Sequence, residues 1–576
     1  MSKTIDQLRS QRWYATDDMR GFAHRQRSQQ MGLRREEFMG RPVIAILNTW
    51  SDLSPCHSHL RDRAEAVKRG VLRAGGYPVE LPALSVGEVM VKPTTMLYRN
   101  FLAMEAEELL RSHPIDAAVL LGGCDKSTPA LLMGAFSVDL PLIYCPAGPM
   151  SNGQWRGQKT GAGTHTRKYW DEYRAGEITR EDWIDLESRM TRSIGTCNTM
   201  GTASTMTSIV DAMGLTLFGA SSIPAADSGH PRMMSAAGER IVAMAWEDLK
   251  PSDLITHANF LNGVTACMAL GGSTNAAIHL IAMAGRLGIA LTLEDLAAVG
   301  AKIPVLANLF PSGSNLMEDF YFAGGLPALL GKLRDHLDLA CRTVEGKTLG
   351  AHLAGVECWN DDVIRGLDEP VIPLSRGRTL LLLKGNLAPS GAVMKTTAAS
   401  PELLRHRGPA VVFDSPQEMM AQIDDPELDV TKDSVLILRN AGPVGAPGMP
   451  EWGNLPIPKK LLKSGVRDML RICDGRMSGT HYGACVLHVA PEAAVGGPLG
   501  LVRTGDMIFL DAEAGVLEME VDEATLAKRR AEWRPPVELY PRSFTALYKR
   551  SVSQADQGCD FDFLAGTGKV PEPSIF

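Results

Sequence analysis

Three of the ten cysteines stand in settings that suit metal chemistry. Cys56 lies in NTWSDLSPCHSHLRDRAEAVKRG (Asn48 to Gly70), after a polar loop and ahead of a helical pattern. Cys124 lies in GGCDKSTPA (Gly122 to Ala130), behind a strand-like run. Cys197 lies in GTCNTMGTASTM (Gly195 to Met206), with Met206, Ile209, Val210 and Met213 following at helical spacing. Each falls at the mouth of a strand-to-helix turn, where open α/β sheets build their sites. A helix amino terminus also favours the thiolate that binds iron. Taken singly, each cysteine reads equally as a small buried hydrophobe; the shared combination of loop, polar neighbours and following helix sets the three apart. Cys267 and Cys341 fall in apolar helical runs and Cys145 follows Leu142-Ile143, so these read as core. Cys56-His57-Ser58-His59 offers zinc-type donors, but adjacent and i+2 residues seldom share one zinc without a further partner.

The elements that must position these residues are legible in the first two thirds of the chain. Pro42 to Leu47 and Asp116 to Leu121 are apolar runs of strand length. Leu60, Ala64, Val67 and Val71 follow the first at helical spacing, and Pro129 suits the first turn of a helix running to Phe136. That is α/β patterning, and it predicts an amino-terminal domain over residues 1–375 with a parallel sheet. From residue 376 the texture becomes β-rich: Pro409 to Phe413, Ser434 to Leu438, Asp506 to Leu510, and Val516 to Val521, where apolar and acidic residues alternate. A second, mostly β domain over 376–576 is expected, with the boundary near Ser375 to Arg378. The chain of 576 residues has room for about two to four domains.

Composition narrows the functional classes. With 45% hydrophobic and 22% charged residues the chain is of globular type, and 59 basic against 66 acidic residues give it no electrostatic reason to bind nucleic acid. The charged amino terminus is neither signal peptide nor anchor, and the apolar stretch Leu261 to Leu291 is broken by Asn262, Asn275, His279 and Arg286, so no membrane span and a cytoplasmic location are expected. Scattered cysteines fit a reducing compartment. Neither a dinucleotide-binding GxGxxG with its acidic partner nor a Walker GxxxxGK[ST] is present.

At these residues the sequence resembles the dihydroxy-acid and sugar-acid dehydratases, the group that includes dihydroxyacid, phosphogluconate and pentonate (arabinonate and xylonate) dehydratases. The likeness spans nearly the whole chain. It is carried by PCHSHL, GGCDKSTPA, GTCNTMGTAST, PGMPEWGNLP (Pro447 to Pro456) and DGRMSGTHYG (Asp474 to Gly483), while NTWSDLSPCHSHLR and KPTTMLYRN (Lys92 to Asn100) look like the sugar-acid branch. The resemblance implies an iron-sulfur cluster, [2Fe-2S] in preference to [4Fe-4S], on Cys56, Cys124 and Cys197. It implies Mg2+ on Glu88, Asp125 and a carbamylated Lys126, with Glu451 near the metal. It implies that the amino-terminal α/β domain bears cluster and metal, that the carboxy-terminal domain is a barrel-like β domain bearing Ser478 as base, and that a homodimer or homotetramer acts on a small sugar acid.

That chemistry needs such residues. Dehydrating a 2,3-dihydroxy carboxylate means removing a weakly acidic C2 proton and expelling the C3 hydroxyl; an oxygen-liganded cation suits the carboxylate and 2-hydroxyl, and an open cluster iron suits the leaving oxygen. Carbamylation requires an unprotonated amine, so a depressed Lys126 pKa is expected. Without the resemblance, Lys126 reads as a salt-bridge partner of Asp125, and RMSGT as a turn in which Gly479 allows unusual backbone angles and Ser478 caps. Thr480 is a candidate hydrogen-bond donor to base or substrate; Arg99, His165 and Arg167 are candidates for holding substrate, and His481 is the alternative base. The same chemistry on a branched-chain dihydroxy acid is the competing activity. A non-catalytic iron-sulfur sensor is the competing class; Glu88, Lys126 and Ser478 together argue against it.

Overall fold

The computed structural model describes residues 2–566 and 570–575. Strands β1 (Val43–Asn48), β2 (Tyr77–Pro82), β3 (Ala117–Gly122) and β4 (Leu142–Pro146) form a parallel sheet in the order β2-β1-β3-β4. Every residue of β1, β3 and β4 is buried, which is why they read as unbroken apolar runs rather than alternating ones. The helices that position the site are α1 (Leu60–Arg73), α2 (Thr95–Ser112), α3 (Ser127–Val138), α4 (Thr164–Ala175), α5 (Thr202–Ala212), α6 (Gly229–Glu247), α7 (His257–Ala269) and α8 (Asn275–Arg286). Helix α1 buries Leu60, Ala64, Val67 and Val71. It crosses α6 at glycines on both sides: a Cβ on Gly70 would stand 1.9 Å from Ser235 O, and one on Gly238 2.3 Å from Val67 O.

The strand order changes direction between β1 and β3, so the loops leaving their carboxyl ends part and open a crevice there. Cys56 follows β1 and Cys124 follows β3. Cys341, expected in a helical run, is outside any helix, because Asp338 Oδ1 accepts from Ala340 N (2.9 Å) and turns the chain.

The second unit is a closed barrel. Its strands are β5 (Leu381–Gly385), β6 (Ala388–Met394), β7 (Arg405–Phe413), β8 (Val435–Leu438), β9 (Arg471–Cys473), β10 (Cys485–Ala490), β11 (Met507–Asp511) and β12 (Val516–Met519), closed in the order β8-β9-β10-β6-β5-β12-β11-β7. Closure leaves no unpaired edge. Leu383, Ala392, Ile437, Ile472, Val486, Leu510 and Leu517 fill its core. The alternation read to Val521 is strand only to Met519, since Val521 N turns back onto Met519 O (3.0 Å).

The chain beyond the barrel returns to the α/β unit. Helix α9 (Phe544–Ser551) lays Phe544 on Tyr98 of α2, ring centroids 6.2 Å apart. Arg99, read from the sequence as a substrate contact, is spent here: fully buried, it donates to Gly558 O (2.9 Å) and Cys559 O (2.8 Å) and straps this segment down. No helix among the described residues is long and apolar enough to cross a membrane.

Candidate active site

The three cysteine loops meet at the crevice. Gly195 N donates to Pro55 O (3.4 Å) and a Cβ on Gly123 would stand 3.1 Å from Thr196 Cγ2, so the chains beside Cys56, Cys124 and Cys197 touch, and the Cys124 thiol donates to Asp125 Oδ1 (3.4 Å). Glu88 N donates to Cys124 Sγ (3.4 Å), so the GEVMVKP loop covers this pocket. The helix amino termini do not win here: the neighbouring Cys56 thiol and burial push the Cys124 thiol up, and burial and Cys56 push Cys197 up to about 12. A metal held by these thiols would have to displace their protons. His57 and His59 are not metal donors but buttresses. His57 Nε2 accepts from Cys124 N (3.1 Å) and its Nδ1 meets Ser85 Oγ (2.9 Å), while His59 Nε2 meets Ala147 O (2.8 Å) just beyond β4. Burial lowers His57 to about 3, which keeps it a neutral acceptor for that amide.

Beside the cysteines stand three carboxylates around one ammonium. Lys126 Nζ, fully buried, lies 2.5 Å from Asp125 Oδ2, 2.9 Å from Glu88 Oε2 and 3.6 Å from Glu451 Oε1. Arg476 NH1 donates to Glu451 Oε1 (3.0 Å), and its NH2 to Thr94 Oγ1 (3.3 Å), which in turn donates to Glu88 Oε1 (3.2 Å). Thr95 Oγ1 donates to the other Glu88 oxygen. Burial would raise Glu88, but Lys126 and Arg476 outweigh it and hold the carboxyl down at about 2. Lys126 corrects the expectation for its amine. Burial and Arg476 act to lower it, yet Asp125, Glu88 and Glu451 together hold it above the ordinary lysine value. Among the described residues no group of three or more His, Cys, Asp or Glu side chains stands ready-made for a metal. The donor set nonetheless suits a hard cation, being three carboxylates already focused on one positive nitrogen. Three thiols sharing one pocket likewise suit a cluster.

The serine turn of the barrel docks on this centre from the other side. Ser478, half-buried, has its Oγ 3.1 Å from Thr480 Oγ1, the pairing read from the sequence. Gly479 does not have a positive φ; a Cβ there would stand 2.7 Å from Ser273 Cβ and 3.2 Å from Thr202 N, so the glycine serves close approach to the α5 and α8 amino termini. Asn275 staples the seam, its Nδ2 lying 2.9 Å from Glu451 Oε1, 3.2 Å from Met477 O and 3.2 Å from Thr202 Oγ1. Its Oδ1 is buried without a partner. Asn275 and Arg476 were missed from the sequence; Arg476 lay inside DGRMSGT, two positions before Ser478, and Asn275 inside GGSTN, a turn with a helix-start signal. His165 is buried, with Nδ1 accepting from Gly161 N (3.1 Å) and its ring edge-on to Phe310, while Arg167 is exposed one turn into α4.

Comparison with known proteins agrees with this architecture. The dihydroxy-acid/6-phosphogluconate dehydratase N-terminal model matches residues 41–352, and the C-terminal model of the same name matches residues 362–559. The chain is 70% identical to a 6-deoxy-6-sulfo-D-gluconate dehydratase of Pseudomonas putida over 100% of its own length and 99% of that protein's. It is 48% identical to an L-arabinonate dehydratase of Rhizobium leguminosarum bv. trifolii (97% and 96% covered) and 37% identical to a D-xylonate dehydratase of Caulobacter vibrioides (98% and 96% covered).

Proposed function

The chain belongs to the dihydroxy-acid/6-phosphogluconate dehydratase family, and from that premise we propose that this dehydratase converts a sugar acid to its 2-keto-3-deoxy acid, with 6-deoxy-6-sulfo-D-gluconate as the leading substrate and pentonates such as L-arabinonate or D-xylonate next. The observation that carries the choice is the 70% identity, end to end, to a protein named for the sulfonated sugar acid. Pentonates were the expectation from the motifs alone; the order is revised by that likeness.

Ser478 is the base for the C2 proton, on a barrel turn pressed against the carboxylate-lysine centre, and Thr480 holds its hydroxyl in place (3.1 Å). Glu88, Asp125, Glu451 and a carbamylated Lys126 would hold Mg2+, and Cys56, Cys124 and Cys197 a [2Fe-2S] cluster, or failing that a [4Fe-4S] one. Bound there, the ion would supply an electrophile for the carboxylate and 2-hydroxyl, and the cluster one for the departing 3-hydroxyl. Serine is a weak base at its ordinary pKa, and Lys126 and Arg476 put positive charge close to its turn. Lys126 can lose its proton for carbamylation only as its hold by the three carboxylates is relaxed, which competition for those oxygens by a divalent ion would do. A homodimer or homotetramer is the assembly that goes with this reading.

The test is a panel: purified enzyme with 6-deoxy-6-sulfo-D-gluconate, L-arabinonate, D-xylonate and 2,3-dihydroxy-isovalerate, with 2-keto acids detected. A higher kcat/KM on dihydroxy-isovalerate than on every sugar acid would move the substrate to the branched-chain class. No product from any of them, with the cluster intact, would return the non-catalytic sensor.

A further inference from the structure

The Ser478 turn rests on the Gly271-Gly272-Ser273 turn that joins α7 to α8, where a Cβ on Gly479 would stand 2.7 Å from Ser273 Cβ. The α/β unit fixes that socket from its own side: Ser273 N donates to Thr205 Oγ1 (3.1 Å), and Ser273 Oγ accepts from Thr202 Oγ1 (2.8 Å). From the barrel side it is held by Lys395, the residue after β6. Lys395 Nζ donates to Gly271 O (2.6 Å) and Gly272 O (3.1 Å), the two carbonyls that lead into Ser273. Gly271 takes the left-handed conformation (φ +63°) that ends a helix, so the ammonium lies at the negative end of the α7 dipole. Thr379, also of the barrel, caps the same helix end further back, its Oγ1 donating to Met268 O (2.8 Å).

The backbone of Lys395 reaches the serine turn at its other end. Ala398 N donates to Lys395 O (3.1 Å), and Ala398 O accepts from Gly483 N (2.7 Å), where the DGRMSGTHYG segment leads into β10. One residue of the barrel thus holds both the exit of the serine turn and the socket against which Gly479 sits. Its charge is an expensive way to do so. The side chain is 3% exposed, and burial pushes it down to about 8, with the Cys267 thiol of α7 the titratable neighbour that acts the other way among the described residues. A buried cation answered by carbonyls rather than by a carboxylate costs stability, and an apolar chain of similar shape would fill the space at less cost. What the ammonium adds is direction: two charge-assisted bonds lock a barrel residue to an α/β turn in one register.

We propose that Lys395 is a positioning residue for the dehydration: by clamping Gly271 and Gly272 it sets the Ser273 socket against the Ser478 turn, and with it the approach of Ser478 Oγ to the C2 proton. The proposal rests on the reading of Ser478 as base given above. It acts through the two turns alone, since Lys395 itself bonds to Gly271 and Gly272 and not to Ser478.

The experiment measures the holoenzyme and its Lys395→Met, Lys395→Gln and Thr379→Val variants on the sugar acid that the wild type turns over best, with hydrogen and with deuterium at C2. Each kcat is taken per iron-bearing site, so that a loss of folded enzyme cancels. In Lys395→Met, kcat per site should fall about 10- to 100-fold, the scale of a misplacement of about 1 Å, while KM stays within about threefold. The isotope effect at C2 should be at least that of the wild type, because removal of the proton becomes the slow step. Lys395→Gln keeps an amide donor on a shorter stem and serves where the methionine variant does not fold; its kcat should fall in the same direction by less. Thr379→Val uncaps the same helix end away from Ser273 and should keep kcat within about threefold of the wild type. An unchanged kcat per site in the lysine variants, an equal fall in Thr379→Val, or a smaller isotope effect in Lys395→Met would overturn the positioning role and leave the dehydratase standing. Absence of 2-keto acid from every sugar acid with the wild type, or a normal kcat in Ser478→Ala, would overturn the underlying reading and the proposal with it.

Discussion

Asp125 at the domain seam and Asp474 and Glu492 in the barrel are carboxylates withdrawn from water, Glu88 and Glu451 of the seam are half-buried, and the two sets are compensated by different means. The seam acids face Lys126 and Arg476. The barrel acids face neutral donors: Asp474 accepts from Ala441 N (2.8 Å), Ala493 N (3.0 Å) and Asn440 N (3.2 Å), and Glu492 from Val444 N (2.9 Å), Gly445 N (2.8 Å) and Gln554 Nε2 (2.9 Å). N–H groups satisfy lone pairs but set no charge opposite. Burial accordingly raises Asp474 to about 6, and burial with Asp474 raises Glu492 to about 7, whereas Glu88 is brought down to about 2 by its cations against burial. The barrel pair ties loops together, Asp474 joining the exit of β8 to the chain that leads to Ser478. The seam trio is an anionic focus, and a focus of that kind suits exchangeable cations and charged substrates.

The largest expected effect separates the cysteines of the seam from those elsewhere. Cys124→Ser should abolish the iron colour of anaerobically purified enzyme, while Cys267→Ser, inside α7, should keep it; full iron content in Cys124→Ser would remove the cluster assignment. Ser478→Ala comes next. It should keep iron and fold and lower kcat by about 10²- to 10⁴-fold with little change in KM, the range for a lost general base. Near-normal kcat would pass the role to another group, and His481 is then the one to replace.

Lys126→Met asks how far the seam depends on its cation. It leaves buried Asp125 and half-buried Glu88 and Glu451 with Arg476 alone and should cost about 3–5 kcal/mol in urea unfolding of chelator-treated protein, as for one partner lost from a buried ion pair. Gln554→Leu removes one neutral donor from Glu492 and should cost about 1–2 kcal/mol. Equal costs would mean that charge pairing and amide pairing are interchangeable here. The same variant should lose any stabilisation of the wild type by Mg2+.

Much of the seam was legible because its positioning elements announce themselves locally. β1 and β3 are buried on both faces and read as apolar runs, and the loops after them carry polar residues and glycines that neither strand nor helix would choose. What local pattern could not give is partnership across long separations. Arg99 meets Cys559, Asn275 meets Glu451, and Arg476 meets Thr94 only because the barrel and the returning α9 segment fold onto the sheet domain. The same distance hid the reversal at Lys126, whose amine is governed by Glu88 and Glu451 from other loops as well as by its neighbour Asp125. Gly479 was misread for a related reason, since its need is set by Ser273 on another element.

The smallest effect is in the pH dependence of stability, and there Glu88 of the seam and Glu492 of the barrel have opposite signs, while burial raises Asp125 despite Lys126 beside it. Glu88 is held at about 2 in the folded chain, below its ordinary 4.5, so its contribution is full above pH 4.5 and is lost as pH falls toward 2. Glu492 is raised to about 7, so its folded form prefers the proton; that contribution is full below pH 4.5 and is lost as pH rises through 7. A displacement of the Glu492 size is worth up to about 3 kcal/mol. Urea unfolding of the wild type should therefore show stability declining between about pH 5 and pH 8 by an amount of that order, less whatever other groups offset. Glu492→Gln cannot ionise, so it should flatten the decline while lowering stability at pH 5, where its amide replaces an acceptor that two backbone N–H groups use. Glu88→Gln should leave the slope between pH 5 and pH 8 as it is. If Glu492→Gln keeps the wild-type slope, amide donors alone suffice to hold a buried carboxylate ionised, and the contrast between barrel and seam is one of position rather than of charge.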